Sequence, residues 1–256
     1  MIRKRLVGVV TVKDGWAVQS FGYHRYLPLG RPEILVENLD RWGADEILLQ
    51  VIDRTRKGLG PDMALLERIG KRGLSTPLIY AGGIRSADDA VACVAAAADR
   101  VAVDALIRDD MDEVRKAGER LGNQAVIGAL PLSLEGGEAR WLDYRTGANE
   151  PLSQPLLDAL AEGTLSEALV IDWRHEGTPG GFDTGLVDAL PEGVKLILFG
   201  GLSEPDTISQ VLRSPRVVAA ALGNFLAYRE HAVQALKAAA HGVPLRPPSF
   251  HQTLRA

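Results

Sequence analysis

Two carboxylates stand where this chain could do acid–base chemistry. Asp53 and Asp172 each close a short apolar run, residues 47–52 and 168–171, on an Ile-Asp pair. General acid–base work needs two groups with pKa values held apart, and these are the best-placed pair. The competing reading is that each caps its own loop by accepting bonds from nearby N–H groups. His175, three residues beyond Asp172, is a candidate proton carrier, against the alternative of a solvated loop histidine. A second chemistry is written in glycine. Gly82-Gly83 and Gly200-Gly201 each link a short apolar run to a serine and an acidic helix start, and they lie 200 − 82 = 118 residues apart. Glycines there let a ligand approach the backbone, and the next helix start offers free N–H groups and a positive dipole end. The spacing therefore points to two phosphate-sized anion sites. Gly223-Asn224, after the last apolar run, completes the second. Tight strand-to-helix turns are the plainer explanation of the same glycines.

For these groups to share one face they must sit at equivalent ends of parallel strands. The apolar, β-rich runs are residues 6–12, 47–52, 78–81, 101–105, 124–130, 168–172, 195–199 and 217–222. Between them come helical patterns over 32–42, 63–72, 88–97, 111–121, 155–162, a stretch from Thr184, 206–212 and 228–240. Residues 16–20 read as a short return strand, and the polar, Gly-rich stretch 136–149 as an excursion with hairpin character. Eight strands alternating with helices give a parallel α/β fold, and the count favours a closed (β/α)8 barrel. The halves repeat beyond the glycines: a Glu opens and an Ile-Asp closes both 46–53 and 167–172, and Gly60-Pro61-Asp62 answers Gly181-Phe182-Asp183. We expect one barrel over 1–243, half-barrels of about 1–122 and 123–243, and a loose Pro-containing tail over 244–256.

Composition excludes several function classes. The 256 residues are 46% hydrophobic and 24% charged, which suits a large core, and a net charge of −4 offers no basic field for nucleic acid. No apolar run reaches the roughly 18 residues of a membrane span, and the basic start lacks an apolar signal core. The single cysteine, Cys93, sits in an Ala-rich run and reads as a buried apolar residue in a reducing, cytoplasmic setting. The five histidines show no metal-ligand spacing, and no nucleophile elbow, P-loop or dinucleotide fingerprint occurs, so neither metal nor cofactor is expected.

Several stretches together resemble the histidine-biosynthesis barrel family of the isomerase HisA and the cyclase HisF, with HisF the nearer. They are Lys4-Arg5, Val12-Lys13-Asp14-Gly15, Gly43-Ala44-Asp45-Glu46, Gly82-Gly83-Ile84-Arg85-Ser86, Ala98-Asp99-Arg100-Val101, Glu176-Gly177-Thr178 with Gly181-Phe182-Asp183, and Gly200-Gly201. The resemblance implies a barrel that docks a glutaminase subunit on its N-terminal face. Ammonia then crosses the barrel to a ribulosyl aminoimidazole nucleotide carrying two phosphates. It also implies an ammonia gate of charged strand openings, Arg5, Glu46, Arg100 and Glu167, with Arg100 where a lysine is usual. The sequence departs from the cyclase at its acid–base places, which hold Thr11 and Pro131, and in its first loop, which holds Gln19 for lysine. Asp104-Ala105 replaces the Asn-Thr beside one phosphate, and a carboxylate there repels phosphate unless it turns away. The pattern is similar to HisF paralogues that pass ammonia to a third amidotransferase enzyme acting on a sugar. Three readings stand open: such a channelling subunit, a cyclase or sugar-phosphate isomerase or lyase using Asp53 and Asp172, and a non-catalytic barrel binding a phosphorylated small molecule. Tyr23, Tyr26 and Trp173 either stack on a sugar or base, or close the barrel top.

Overall fold

The computed structural model describes residues 3–227, 231–240 and 242–247. Their strands are β1 (Arg5–Lys13), β2 (Trp16–Phe21), β3 (Arg25–Gly30), β4 (Glu46–Val51), β5 (Leu78–Ala81), β6 (Arg100–Val103), β7 (Val126–Glu135), β8 (Glu138–Asp143), β9 (Ala148–Pro151), β10 (Glu167–Asp172), β11 (Leu196–Phe199) and β12 (Val217–Leu222). Eight of them pair in parallel in the circular order β1, β4, β5, β6, β7, β10, β11, β12, and β12 returns to β1. This is a closed (β/α)8 barrel. The strands read as apolar runs because both faces are covered. Along each strand one alternation points inward, for example Val7 and Val9, Ile127 and Ala129, or Ile197 and Phe199, and fills the barrel interior. The other alternation, such as Leu6, Ile47, Leu49 and Tyr80, packs outward under the helices.

The helices are α1 (Pro32–Arg41), α2 (Met63–Gly70), α3 (Ala87–Ala96), α4 (Ala105–Asp109), α5 (Met111–Leu121), α6 (Gln154–Ala161), α7 (Pro205–Arg213) and α8 (Ala232–Ala239). Their starts are chemically marked. Asp62, Ser86 and Asp110 accept N–H bonds at the first turns of α2, α3 and α5, and α1 and α7 open on proline.

Several expectations move. The helix expected from Thr184 is a single 3-10 turn, Thr184–Val187, because Pro191 and Gly193 follow too closely for an α-helix to extend. The fourth barrel strand stops at Val103, since Asp104 turns out to cap α4. The fifth starts at Val126, after a 3-10 turn over Asn123–Ala125, and runs on to Glu135. The return strand gains a partner, β3, and the 136–149 excursion is the β8–β9 hairpin built on the end of β7. The last helix is seen over Ala232–Ala239, while 228–230 lie outside the described residues.

The floor of the barrel is tied where Lys4 meets Pro244 and Leu245. Lys4 N–H donates to the Pro244 carbonyl at 2.9 Å, and Lys4 bridges Leu245. The rest of the expected tail, from 248 onward, lies outside the described residues. Lys237 of α8 reaches the Asp45 carboxylate and the Gly43 carbonyl, each at 2.8 Å, while Asp45 also accepts the Leu6 N–H. No helix among the described residues is long and apolar enough to cross a membrane. Cys93 is buried, and desolvation pushes its thiol up to about 12.

Candidate functional site

Arg5, Glu46, Arg100 and Glu167 open β1, β4, β6 and β10, in phase with the inward residues Val7, Leu48, Ala102 and Leu169. Strand alternation therefore aims all four at the barrel floor. They close into a ring of alternating charge. Arg5 meets Glu46 at 2.9 Å and Glu167 at 2.8 Å, and Arg100 meets Glu46 at 3.4 Å and Glu167 at 2.8 Å. The arginines are not equivalent. Arg100 also donates from Nε to the Gln124 carbonyl at 2.9 Å and from Nη2 to Ser166 Oγ at 3.0 Å. Arg5 has no side-chain partner outside the ring among the described residues. Desolvation raises the Glu46 pKa against the pull of Arg5 and Arg100. The four sequence-expected residues thus form one constellation.

The two carboxylates do not. β4 and β10 face each other across the barrel, with three strands between them in either direction. Asp53 pairs with Lys57 at 2.6 Å and accepts the Asp14 N–H. Asp172 is buried and accepts from the Asp183 N–H at 2.8 Å, from the His175 N–H, and from His175 Nδ1 at 2.8 Å if that nitrogen carries the proton. The structure joins Asp172 to His175 but leaves Asp53 apart, with both carboxylates holding loops.

The glycine pairs serve backbone packing first. A Cβ at Gly82 would lie 2.1 Å from the Val51 carbonyl oxygen, and one at Gly200 would lie 2.4 Å from that of Asp172. Gly83 and Gly201 likewise press on Gly60 and Phe182. The positive φ of +125° and +102° at Gly82 and Gly200 also demands glycine. Beyond that shared frame the halves differ. In the first, the Gly83 N–H goes to Thr55 Oγ1 at 3.2 Å. In the second, Glu176 stands where Thr55 does, with its carboxylate turned to Ser20 and Tyr23 instead, and the Gly201 N–H finds no protein acceptor among the described residues. A cavity of about 150 Å³ opens there, lined by Phe199, Gly200, Gly201, Ser203 and Gly223. Asn224 also lines it, but its side-chain oxygen and nitrogen are both spent on the backbone of Ser20, at 3.1 and 2.6 Å.

That contact belongs to a feature the sequence did not disclose. The β2–β3 hairpin folds over the barrel mouth. Its tip is clasped by Glu176, whose carboxylate accepts from Ser20 Oγ at 2.9 Å and the Tyr23 N–H at 3.3 Å, and whose carbonyl accepts the Gly22 N–H at 2.9 Å. Tyr23, at φ +55°, packs its ring against the barrel interior and donates its hydroxyl to Gln50 Oε1 at 3.2 Å. Tyr26 donates to the Tyr23 carbonyl. Of the three aromatic residues marked in the sequence, Tyr23 closes the top. Burial raises the pKa of Glu176, with Ser20 and the Tyr23 N–H opposing. The Glu176-Gly177-Thr178 run was the available signal for this clasp. Thr11 is buried beside Gln50, and Pro131 is level with Ile171 near the rim. Trp173 buries an indole N–H that has no partner among the described residues.

Comparison with known proteins places this geometry. A family model described as "Histidine biosynthesis protein" matches residues 5–232. The chain is 24% identical over 253 residues to "Imidazole glycerol phosphate synthase subunit HisF" of Exiguobacterium sp., covering 96% of this chain and 97% of that one. It is 27% identical over 257 residues to the protein of the same name from Acidobacterium capsulatum, covering 97% and 100%. It is 25% identical over 263 residues to that of Limosilactobacillus fermentum, covering 100% and 99%.

Proposed function

This chain belongs to the histidine biosynthesis protein family, and from that premise we propose that it is a HisF-like barrel subunit of a glutamine amidotransferase assembly. In this reading a glutaminase docks on the N-terminal face, ammonia enters through the charged floor, and the barrel delivers it to an acceptor outside histidine synthesis, in sugar modification. The observation that carries the reading is the closed ring of Arg5, Glu46, Arg100 and Glu167. The relatives' printed description as a synthase subunit supports a partnered role.

The ring suggests how passage works. Ammonia is neutral, so the aliphatic interior above the floor costs it far less than it would cost an ion. The floor itself must part. Arg100 is moored to Gln124 and Ser166, and it can keep both glutamates paired while Arg5 moves. Arg5 is thus the swinging arm and Arg100 the fixed post. At the mouth, a phosphorylated small molecule is the expected ligand of the cavity beside Gly200, Gly201 and Gly223. Proton transfer by the family's usual pair is not supported, since Pro131 has no transferable proton and Thr11 is a poor acid or base near neutral pH. Asp53 and Asp172 are engaged on opposite sides, which speaks against their acting as a pair. Chemistry on the acceptor therefore falls to a third enzyme.

The test mixes purified barrel with candidate glutaminases and follows glutamine hydrolysis together with formation of any imidazole product. The reading expects a glutaminase that binds and is stimulated without imidazole product. Arg5→Ala or Glu167→Ala should uncouple ammonia delivery in a barrel that still folds. Absence of any binding glutaminase reduces the ring to a structural clamp, and imidazole formation at cyclase-like rates restores barrel chemistry.

A further inference from the structure

The two half-barrels offer a frame for an anion in matching places, and only one of them is empty of side chain. Asp104 follows β6 where Gly223 follows β12, each two residues past an inward alanine, Ala102 and Ala221. In the second half the missing side chain leaves Gly223 lining the cavity of about 150 Å³. In the first, the Asp104 carboxylate lies in a cradle of donors. It accepts the Ala105 N–H at 2.5 Å at the start of α4, and it accepts the hydroxyl of Tyr144, which reaches in from the turn between β8 and β9. Thr55, which takes the Gly83 N–H, lies beside the same tyrosine. Tyr144 is itself held in place, because Arg56 grips its carbonyl from Nε at 3.1 Å and Nη2 at 2.5 Å. Arg145 adds a favourable charge, although burial outweighs it and raises the carboxyl's pKa. Backbone N–H and hydroxyl donors converging on one carboxylate are what a phosphate would require.

We propose that Asp104 is a resident anion, sealed in by Tyr144, which occupies the first half-barrel's anion site and so restricts the ligand to one anionic group, seated in the second half. A second phosphate would have to displace the tyrosine and face the carboxylate at close range, where like charges repel strongly. The one-group restriction rests on the reading of a phosphorylated ligand at the mouth, whereas the occupied first site does not.

The experiment compares fructose 6-phosphate and fructose 1,6-bisphosphate by calorimetry on the wild-type chain and on Asp104→Asn/Tyr144→Ala. Asparagine still caps α4, so the fold is kept. Wild type should bind the bisphosphate no more than about threefold tighter than the monophosphate, and the variant should favour the bisphosphate about tenfold or more, with monophosphate affinity unchanged. A tenfold bisphosphate preference in wild type, or an unmoved ratio in the variant, overturns the proposal. Inorganic phosphate provides the independent arm: the variant should gain a saturable site that wild type lacks. If that gain occurs while neither sugar phosphate binds either protein, the ligand reading of the second half fails and the resident anion stands. If inorganic phosphate gains no site, the resident anion is refuted.

Discussion

Replacing each arginine of the floor ring by alanine should show that the two are unequal. Arg5→Ala removes contacts of 2.9 and 2.8 Å, but Glu46 and Glu167 each retain Arg100. No glutamate is stranded, so the loss is about 1–3 kcal/mol, below the full cost of breaking a buried pair. Arg100→Ala removes an equivalent pair of ionic contacts and, in addition, the bonds to the Gln124 carbonyl and Ser166 Oγ. Two such bonds at about 0.5–1.5 kcal/mol each make this variant worse by about 1–3 kcal/mol. For a chain of this size that separates the two thermal midpoints by roughly 2–10 °C. Scanning calorimetry at one pH and one scan rate measures it, with urea midpoints as a check against irreversible unfolding. An Arg5→Ala variant as destabilised as Arg100→Ala would refute the division into swinging arm and fixed post, because the moorings of Arg100 would then carry no weight.

Three further outcomes are expected. Lys237→Met should cost about 3–5 kcal/mol by urea denaturation, since it strands the Asp45 carboxylate in a pair only 2% exposed on either side; a loss under about 1 kcal/mol contradicts this. Glu176→Gln should be most favourable, relative to wild type, at pH near 8. The folded-state pKa of Glu176 is raised above its ordinary value of 4.5, so its favourable contribution is complete below that value and is lost as pH rises through the folded one. The variant's advantage should shrink as pH falls towards 4.5, and parallel midpoint-versus-pH curves count against the argument. Gly200→Ala places a Cβ 2.4 Å from the Asp172 carbonyl oxygen and should cost more than about 3 kcal/mol, whereas Gly136→Ala meets nothing within 4 Å and should cost about 1–2 kcal/mol for its positive φ alone. Equal thermal midpoints for the two glycine variants would remove the packing explanation.

The barrel was legible because its strands are covered on both faces and so read as apolar runs, punctuated by the glycines and caps that start helices. The floor residues were marked by the family resemblance, and strand alternation, which sets the inward phase of the strand openings, explains why they meet. The mouth was harder. A glycine forced by the Val51 carbonyl has the same signature as one reserved for a ligand, and spacing does not separate them. Asp172 ends β10 as expected, but Asp53 lies two residues beyond β4, and their partners Lys57, His175 and Asp183 lie in loops where no periodicity fixes direction. β3 passed unseen because Leu27 and Leu29 are exposed and Pro28 interrupts the run, so alternation is missing. The Tyr144–Asp104 contact joins positions 40 apart across a hairpin, and no local pattern announces it.

The seam between β1 and β12 has a consequence for biosynthesis. Lys4 bonds to carbonyls 210 and 213 positions away, and Lys237 to one 194 positions away, so the floor cannot be sealed until nearly the whole chain has left the ribosome. The first strand made is thus among the last to be paired on its β12 side, and throughout synthesis it presents an open edge to whatever else is nascent. Because the two halves share one outline, the partner most able to satisfy that edge in the meantime is the corresponding half of another chain. Slow or interrupted translation of this protein should therefore yield exchanged dimers ahead of amorphous aggregate.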